Sequence, residues 1–314
     1  MINVELIEYK KIRNCIRVTN GNVEIIAITA FGPRIIRYGF IDSKNEFYED
    51  EEQFHSLDSE DWQIFGGHRL WHAPEIVDRM ALPDILPVDF ELSINGFTLN
   101  QITEPHSGIQ KTMDVKMNED GSVEIMHKIT NKGMWPIEIA NWALSVLAKG
   151  GLEVVKTPSR DTDHLPNRSI ALWPYTSMND PRVNWGDKYI FLEQSDRFAL
   201  TEQEIKDEVE EKPFKFGLPN ESGWIAHFNN DNLFVKRHVH VLSETYPDCN
   251  SSFETYTNSF ILEIETLGPL VTLAPNEFDE HYEKWELFCG VSRPRNEEEM
   301  DLIAKRIEDD YENT

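Results

Sequence analysis

Short stretches in which apolar and polar residues alternate recur along most of the chain, and a period of two predicts β-strands. Residues 1–40 show this pattern, and Asn20-Gly21 before an apolar run is a hairpin signal. The same signal returns at Asn95-Gly96, and residues 118–121 indicate a further turn. The pattern therefore predicts antiparallel strands joined by hairpins.

Helical periodicity is clearest at the C-terminus. A helix is predicted at about 296–312, where Asn296 can cap the first turn. Its apolar stripe consists of Met300, Ile303, Ala304 and Ile307. The acidic stretch 45–62 is interpreted as a loop or short helix, and 202–211 as a short exposed helix. Residues 152–186 are aromatic and irregular, which is typical of a long functional loop.

The composition agrees with one large folded unit. Many strands and few helices indicate an all-β sandwich with residues 1–314 as a single domain. A formal net charge of −26 disfavours nucleic acid and anionic membranes, so neither is expected as a partner. The three cysteines form no CxxC pair, and the N-terminus carries no apolar signal segment. A cytoplasmic protein is therefore expected, and its oligomeric state is left open.

Two glutamates on one predicted strand are candidates for chemistry. Within 260–267, the period-two rule places Glu263 and Glu265 on the same face, about 7 Å apart along the backbone. Glutamate is unfavourable inside a strand. The pair belongs either to a solvated face or to a concave site where a carboxylate exchanges protons.

A second cluster follows Gly66-Gly67, which permits an unusual turn and the close approach of a ligand. His68, Arg69 and His72 lie within five residues there, in a stretch interpreted as a functional loop. The same pattern also fits solvated loop histidines, with Arg69 as the partner of a surface acid. Both interpretations stay open at this point.

Known cofactor motifs are not evident in the sequence. On a helix His68 and His72 would share a face, but the neighbouring glycines and Pro74 disfavour a helix there. His238 and His240 would share a strand face, but no third metal ligand is evident near them. Walker A, dinucleotide-binding and nucleophile-elbow motifs are not found. Neither a metal nor another cofactor is expected.

Several short segments form a series along the chain. They are Asn22-Val-Glu-Ile-Ile, Phe31-Gly-Pro-Arg-Ile-Ile, Gly66-Gly-His-Arg-Leu, Ile129-Thr-Asn-Lys-Gly, Leu262-Glu-Ile-Glu-Thr-Leu-Gly-Pro, Leu273-Ala-Pro-Asn-Glu and Trp285-Glu-Leu-Phe. In this order they resemble the galactose mutarotase-like (aldose 1-epimerase) superfamily, and a bacterial branch of it most of all. The resemblance implies a supersandwich of two large antiparallel sheets with a sugar site on a concave face. It also implies cofactor-free interconversion of sugar anomers by a carboxylate base and an imidazole acid.

The resemblance also implies roles for particular residues. By position, the catalytic base falls on Glu265 and a substrate-binding role on Arg69. His106 lies in the segment nearest to one of the family's histidines. Where the family has its other histidine, the usual general acid, this chain has Trp142, which is either a core residue or a platform for a sugar. His68 and His106 are therefore the candidates for the acid.

The predicted function is that of a mutarotase acting on a small sugar or sugar derivative, with His72 and Glu263 as further substrate-binding candidates. The departure from the family at the acid favours the alternative of a non-catalytic carbohydrate-binding or sensor protein. A glycoside hydrolase is less favoured, because Glu263 and Glu265 on one strand face flank a glycosidic bond poorly. A phosphosugar epimerase would hold phosphate with arginines, of which the candidates are Arg34, Arg37 and Arg69.

Overall fold

The computed structural model describes residues 1–55, 63–76, 79, 84–163, 165–195, 197, 201 and 213–312. In chain order its strands are β1 (Asn3–Tyr9), β2 (Ile12–Thr19), β3 (Val23–Ile28), β4 (Arg34–Phe40), β5 (Gly67–Ala73), β6 (Asp89–Leu92), β7 (Gly96–Asn100), β8 (Ile109–Met117), β9 (Val123–Asn131), β10 (Ile137–Leu147), β11 (Gly151–Lys156), β12 (Ala171–Leu172), β13 (Val183–Trp185), β14 (Tyr189–Gln194), β15 (Phe214–Leu218), β16 (Trp224–Asn229), β17 (Asn232–His238), β18 (Phe253–Thr257), β19 (Leu262–Leu267), β20 (Val271–Leu273) and β21 (Phe278–Cys289). The described helical segments are a 3₁₀ turn at Gln53–His55, a short turn at Pro247–Asn250 and helix α1 at Glu297–Glu312.

These strands form two antiparallel sheets. The first sheet has the order β1-β2-β3-β4-β5-β10-β19-β18-β15-β12, with β20 also paired to β10. The second sheet has the order β13-β14-β11-β16-β17-β21-β9-β8-β7-β6. The predicted hairpins are confirmed, and at the first of them the Asn20 side-chain carbonyl accepts hydrogen bonds from the backbone N–H groups of Asn22 and Val23. The all-β supersandwich predicted from the sequence is the observed architecture.

The two sheets pack face to face around a large apolar core. Alternate residues of each strand supply it, as in β8, where Ile109, Met113 and Val115 are buried. Strand β10 lies at the centre of the first sheet and is buried over most of its length on both faces. The second sheet covers only the inner face of β10, so other parts of the chain must bury the side chains on its outer face.

Helix α1 covers part of the outer face of the second sheet, over β11, β14, β16 and β17. Met300 and Ala304 pack with Leu152 and Trp224, which point away from the main core. The predicted helix is confirmed, and the Asn296 side chain accepts a hydrogen bond of 2.9 Å from the N–H of Glu299. Among the described residues, no helix combines the length and apolar character needed to cross a membrane.

Two predicted loops contain strands. Residues 67–73 form β5, where period two is hidden in the sequence because polar residues occupy both faces. The stretch 152–186 includes most of β11, together with β12 and β13. The helix predicted at 202–211 lies outside the described residues.

Candidate functional site

A row of mostly charged side chains crosses the outer face of the first sheet. Paired positions in neighbouring antiparallel strands share a face, and the register pairs Arg34 with Arg69, Arg69 with Leu144, Leu144 with Glu265, and Glu265 with Glu254. We call these five residues the central row. The predicted faces of β19 are confirmed, since Leu262 and Ile264 point into the core and Glu263 and Glu265 point out.

Glu265 lies at the middle of this face and is only 1% exposed. Its Oε2 accepts a hydrogen bond of 2.8 Å from the indole N–H of Trp142 and one of 3.1 Å from the ammonium of Lys215. Its Oε1 has no hydrogen-bond partner among the described residues. One oxygen of the carboxylate is therefore held by Trp142 and Lys215, while the other is buried without a hydrogen-bond partner among the described residues.

Lys215, from β15, joins several acidic groups at the site. Its Nζ lies 2.8 Å from Glu254 and 3.7 Å from Glu75, besides its contact with Glu265. It also lies 4.6 Å from the ring centroids of both Trp142 and Trp173. Burial lowers the pKa of Lys215, but these carboxylates outweigh burial and hold that pKa well above its usual value.

Glu254 is completely buried beside Lys215. Burial raises the pKa of its carboxyl group well above the usual range, against the opposing charge of Lys215. Glu75 and Trp173 lie on the solvent side, where the Trp173 indole donates a hydrogen bond of 3.0 Å to Glu75. The Glu75 side chain is 33% exposed, so the site opens to solvent at this side.

Arg69 forms the other half of the site. Its guanidinium stacks on Trp71 at 3.9 Å from the ring centroid, and its Nη2 lies 3.4 Å from Glu263. Burial raises the pKa of Glu263 to about 7, and the charge of Arg69 opposes this shift. The neighbouring Arg34 donates to the Asp84 carboxylate at 2.6 Å and to the carbonyl of Gly66.

His68 and His72 lie on the opposite face of β5 from Arg69. His68 is fully enclosed between the sheets, 2.7 Å from the imidazole of His127. His72 is also fully buried, and burial, with the charges of Lys111 and Arg79, lowers its pKa to about 3. The structure therefore does not bring His68 to Glu265 as an acid, nor His72 to Arg69 as a substrate-binding residue.

The interior histidines form a chain of hydrogen bonds with a defined direction. The Nδ1 of His127 faces the carbonyl of His281 at 3.2 Å and must donate to it, so His127 Nε2 accepts from His68 Nε2. His68 Nδ1 then accepts from the hydroxyl of Ser145 at 2.9 Å, and Lys236 donates to that hydroxyl at 3.1 Å. Each of these groups has a partner of the right kind with both imidazoles neutral.

The same cluster contains the group of described residues that is best placed to hold a metal ion. Donor atoms of His68, His127 and Glu283 lie within 4.8 Å of one another. However, one Glu283 oxygen accepts from the Lys236 ammonium at 2.9 Å, and the other accepts from the Trp285 indole at 2.8 Å. A divalent ion would add its charge beside that ammonium, so the geometry fits hydrogen bonding better.

The remaining histidine candidates also lie away from Glu265. His106 is exposed in the turn between β7 and β8 of the second sheet. His238 and His240 do not converge on one point, since His238 Nε2 meets the Asn220 amide and His240 Nδ1 meets the Ser252 hydroxyl. Of the predicted site residues, the structure thus brings Glu265, Glu263, Arg69 and Trp142 together.

Comparison with known proteins gives the fold. No protein-family model and no curated protein sequence matches the chain. A galactose mutarotase-like protein from Lactobacillus casei matches with a TM-score of 0.54 and 9% identity, over 87% of this chain and 100% of that one. The chain has the galactose mutarotase-like fold.

Further solved structures share this fold. A galactose mutarotase-like protein from Clostridium acetobutylicum matches with a TM-score of 0.50 and 11% identity, over 92% of this chain and 98% of that one. A TPR-domain containing protein from Parabacteroides distasonis matches with a TM-score of 0.57 and 12% identity, over 90% of this chain and 48% of that one. The predicted fold class is confirmed.

Proposed function

We propose that this galactose mutarotase-like protein interconverts the anomers of an unphosphorylated sugar, with Glu265 as the general base. The observation that supports this most is the state of the Glu265 carboxylate. Trp142 and Lys215 hold its Oε2, and its Oε1 has no partner among the described residues. A carboxylate held in this way is ready to accept the proton of a hydroxyl group.

The proposed reaction needs few groups. The Oε1 of Glu265 takes the proton from the C1 hydroxyl, the bond between C1 and the ring oxygen breaks, and that oxygen gains a proton. Rotation about the C1–C2 bond and reclosure then give the other anomer. Arg69 and Glu263 lie on the same face and are positioned to bind the remaining hydroxyls, which would hold the C1 hydroxyl in place for proton transfer to Glu265.

The charges at the site favour a neutral sugar over a sugar phosphate. The Arg34 guanidinium is paired with Asp84, Arg69 lies beside Glu263, and Lys215 is bounded by several carboxylates. Arg37 is engaged by Glu24 at 2.7 Å. A phosphate would have to displace one of these carboxylates, because each cation already has an acidic neighbour.

A non-catalytic sugar-binding protein is the second candidate. One observation favours it: the contacts of Glu265 within the described residues include Trp142 and Lys215 but no imidazole. A galactose mutarotase-like site without an acid would bind a sugar without opening its ring.

Anomer exchange measured by NMR tests the proposal. Wild-type protein should accelerate exchange of at least one free aldose above the rate in buffer, and Glu265→Gln should abolish the acceleration. His106→Gln is the matched control, because its exposed side chain lies in a turn of the second sheet. Exchange that persists in Glu265→Gln would show that Glu265 is not the base. Sugar binding by the wild type without exchange would favour the second candidate.

A further inference from the structure

The site described above has a base but lacks the imidazole that would protonate the ring oxygen. The hydroxyl oxygen that loses a proton and the ring oxygen that gains one are both bonded to C1. The acid must therefore lie within a few ångströms of the base. Within the described residues, the cations nearest to this requirement are Lys215 and Arg69. A guanidinium does not give up a proton in proteins, which excludes Arg69 as a proton donor.

We propose that Lys215 is the general acid of this site, and that its ammonium group protonates the ring oxygen while Glu265 deprotonates the C1 hydroxyl. This inference rests on the proposed function. Lys215 Nζ lies 3.1 Å from Glu265 Oε2, on the side bounded by the rings of Trp142 and Trp173. Base and acid therefore lie side by side on the same outer face.

The step balances without any further reactant. One proton passes from the C1 hydroxyl to Glu265, the electron pair of the bond between C1 and the ring oxygen moves to that oxygen, and one proton passes to it from Lys215. The ion pair becomes a neutral acid and a neutral amine. No net charge is created in a buried site, which avoids a large desolvation cost. Ring closure reverses both transfers and restores the ion pair.

The two proton transfers support each other. The charge of Glu265 is the largest of the contributions that raise the pKa of Lys215, and burial acts in the opposite direction. When Glu265 takes its proton, this attraction disappears and burial favours the neutral amine. Lys215 thus becomes a stronger acid at the moment when the ring oxygen needs a proton.

Access to Lys215 is possible from the solvent side. Trp173 and Glu75 lie over the ammonium and are partly exposed. Rotamer changes of exposed side chains take about a nanosecond or less. The completely buried Glu254 lies 2.8 Å from Lys215 Nζ, away from the partly exposed side of the site.

Substitutions at Lys215 test the inference in the anomer-exchange assay. Lys215→Met should lower kcat by about 10²–10⁴-fold with little change in KM. Lys215→Arg should lower kcat to a similar extent, because it keeps the charge beside Glu265 but does not release a proton. Lys215→His should regain part of the rate, which should then fall as the pH rises above about 6.5, where imidazole loses its proton.

Lys188→Met is the matched control, since Lys188 pairs with Asp301 on helix α1 and is exposed. Its kcat should equal that of the wild type. If Lys215→Met unfolds at a lower temperature than the wild type, the kcat values of Lys215→Arg and Lys215→His decide the test instead. Wild-type kcat in Lys215→Arg would overturn the inference and make Lys215 a counter-ion.

The two proposals fail in different ways. If wild type exchanges anomers and only Glu265→Gln abolishes the exchange, the proposed function stands and Lys215 is not the acid. If wild type exchanges none of the sugars tested, the proposed function and this inference both fall.

Discussion

His68 and Arg69 are consecutive residues of β5, yet their side chains lie on opposite faces of the first sheet. His68 forms a hydrogen bond with His127 between the sheets, whereas Arg69 lies 3.4 Å from Glu263 on the outer face. The interior between the sheets thus contains its own polar network, separate from the candidate site. Buried ionisable groups, and one tight turn, have measurable consequences for the stability of this fold.

The buried ion pair between Lys236 and Glu283 should matter strongly to stability. Lys236→Met should lower the free energy of unfolding by about 3–5 kcal/mol, because it leaves the Glu283 charge buried without its partner. Urea unfolding measures this loss. Lys128→Met is the control, since Lys128 pairs with Glu280 at the same distance of 2.9 Å but is partly exposed, and should lose only about 0–1 kcal/mol. Equal losses in the two variants would contradict the prediction.

His227 should make the protein sensitive to acid. It is completely buried in β16, and burial lowers its pKa to about 3. Below about pH 6.5 the unfolded chain binds a proton that the folded chain does not, so stability is lost as the pH falls towards the folded pKa. Between pH 7 and pH 5, His227→Leu should lose about 2 kcal/mol less than the wild type. The exposed His106→Gln should follow the wild type, and a parallel pH profile for His227→Leu would refute the argument.

Glu46 should have the opposite effect. Burial raises the pKa of its carboxyl group to about 7, although Asn232 and Arg37 oppose the shift. The folded chain therefore holds a proton that the unfolded chain has lost, and this contribution disappears as the pH rises from about 4.5 to 7. Between pH 5 and pH 8, Glu46→Gln should gain about 2.5 kcal/mol relative to the wild type. The exposed Glu8→Gln should show no such gain, and a constant difference for Glu46→Gln would count against a raised pKa.

Gly66 should tolerate no side chain. Its φ is +90°, and a Cβ atom there would lie 2.0 Å from the carbonyl oxygen of Tyr48. Gly66→Ala should therefore cost at least about 3 kcal/mol of unfolding free energy. Gly150 is the control, because its φ of +80° is similar but a Cβ atom there would meet nothing within 4 Å. Gly150→Ala should cost only about 1 kcal/mol, and equal costs would show that the clash at Gly66 is relieved.

Local periodicity accounts for what the sequence predicts well. The hairpin turns, helix α1 and the two faces of β19 follow from patterns a few residues long. The outward direction of Glu263 and Glu265 is thus predictable from the alternation of β19 alone. The existence of strand β5 is not predictable in this way, because imidazoles on its inner face and Arg69 on its outer face hide the alternation of apolar and polar residues.

The missed residues of the site depend on long-range pairing. Lys215 stands between Phe214 and Phe216 in a short strand and has the sequence context of an ordinary solvated lysine. Its partner Glu265 is 50 residues away in sequence, and only the order of the strands brings the two together. The alternation of Phe214 and Phe216 about Lys215 is the one local signal that would have placed Lys215 on an outer face.

Helix α1 and the candidate site lie on opposite sides of the sandwich. The helix packs on part of the outer face of the second sheet, whereas Glu265 and Lys215 lie on the outer face of the first. Leu302, on the helix, is 70% exposed. A fluorophore or a surface tether attached at that position would therefore leave the side of the protein that carries Glu265 and Lys215 turned towards solution, which suits immobilised binding measurements.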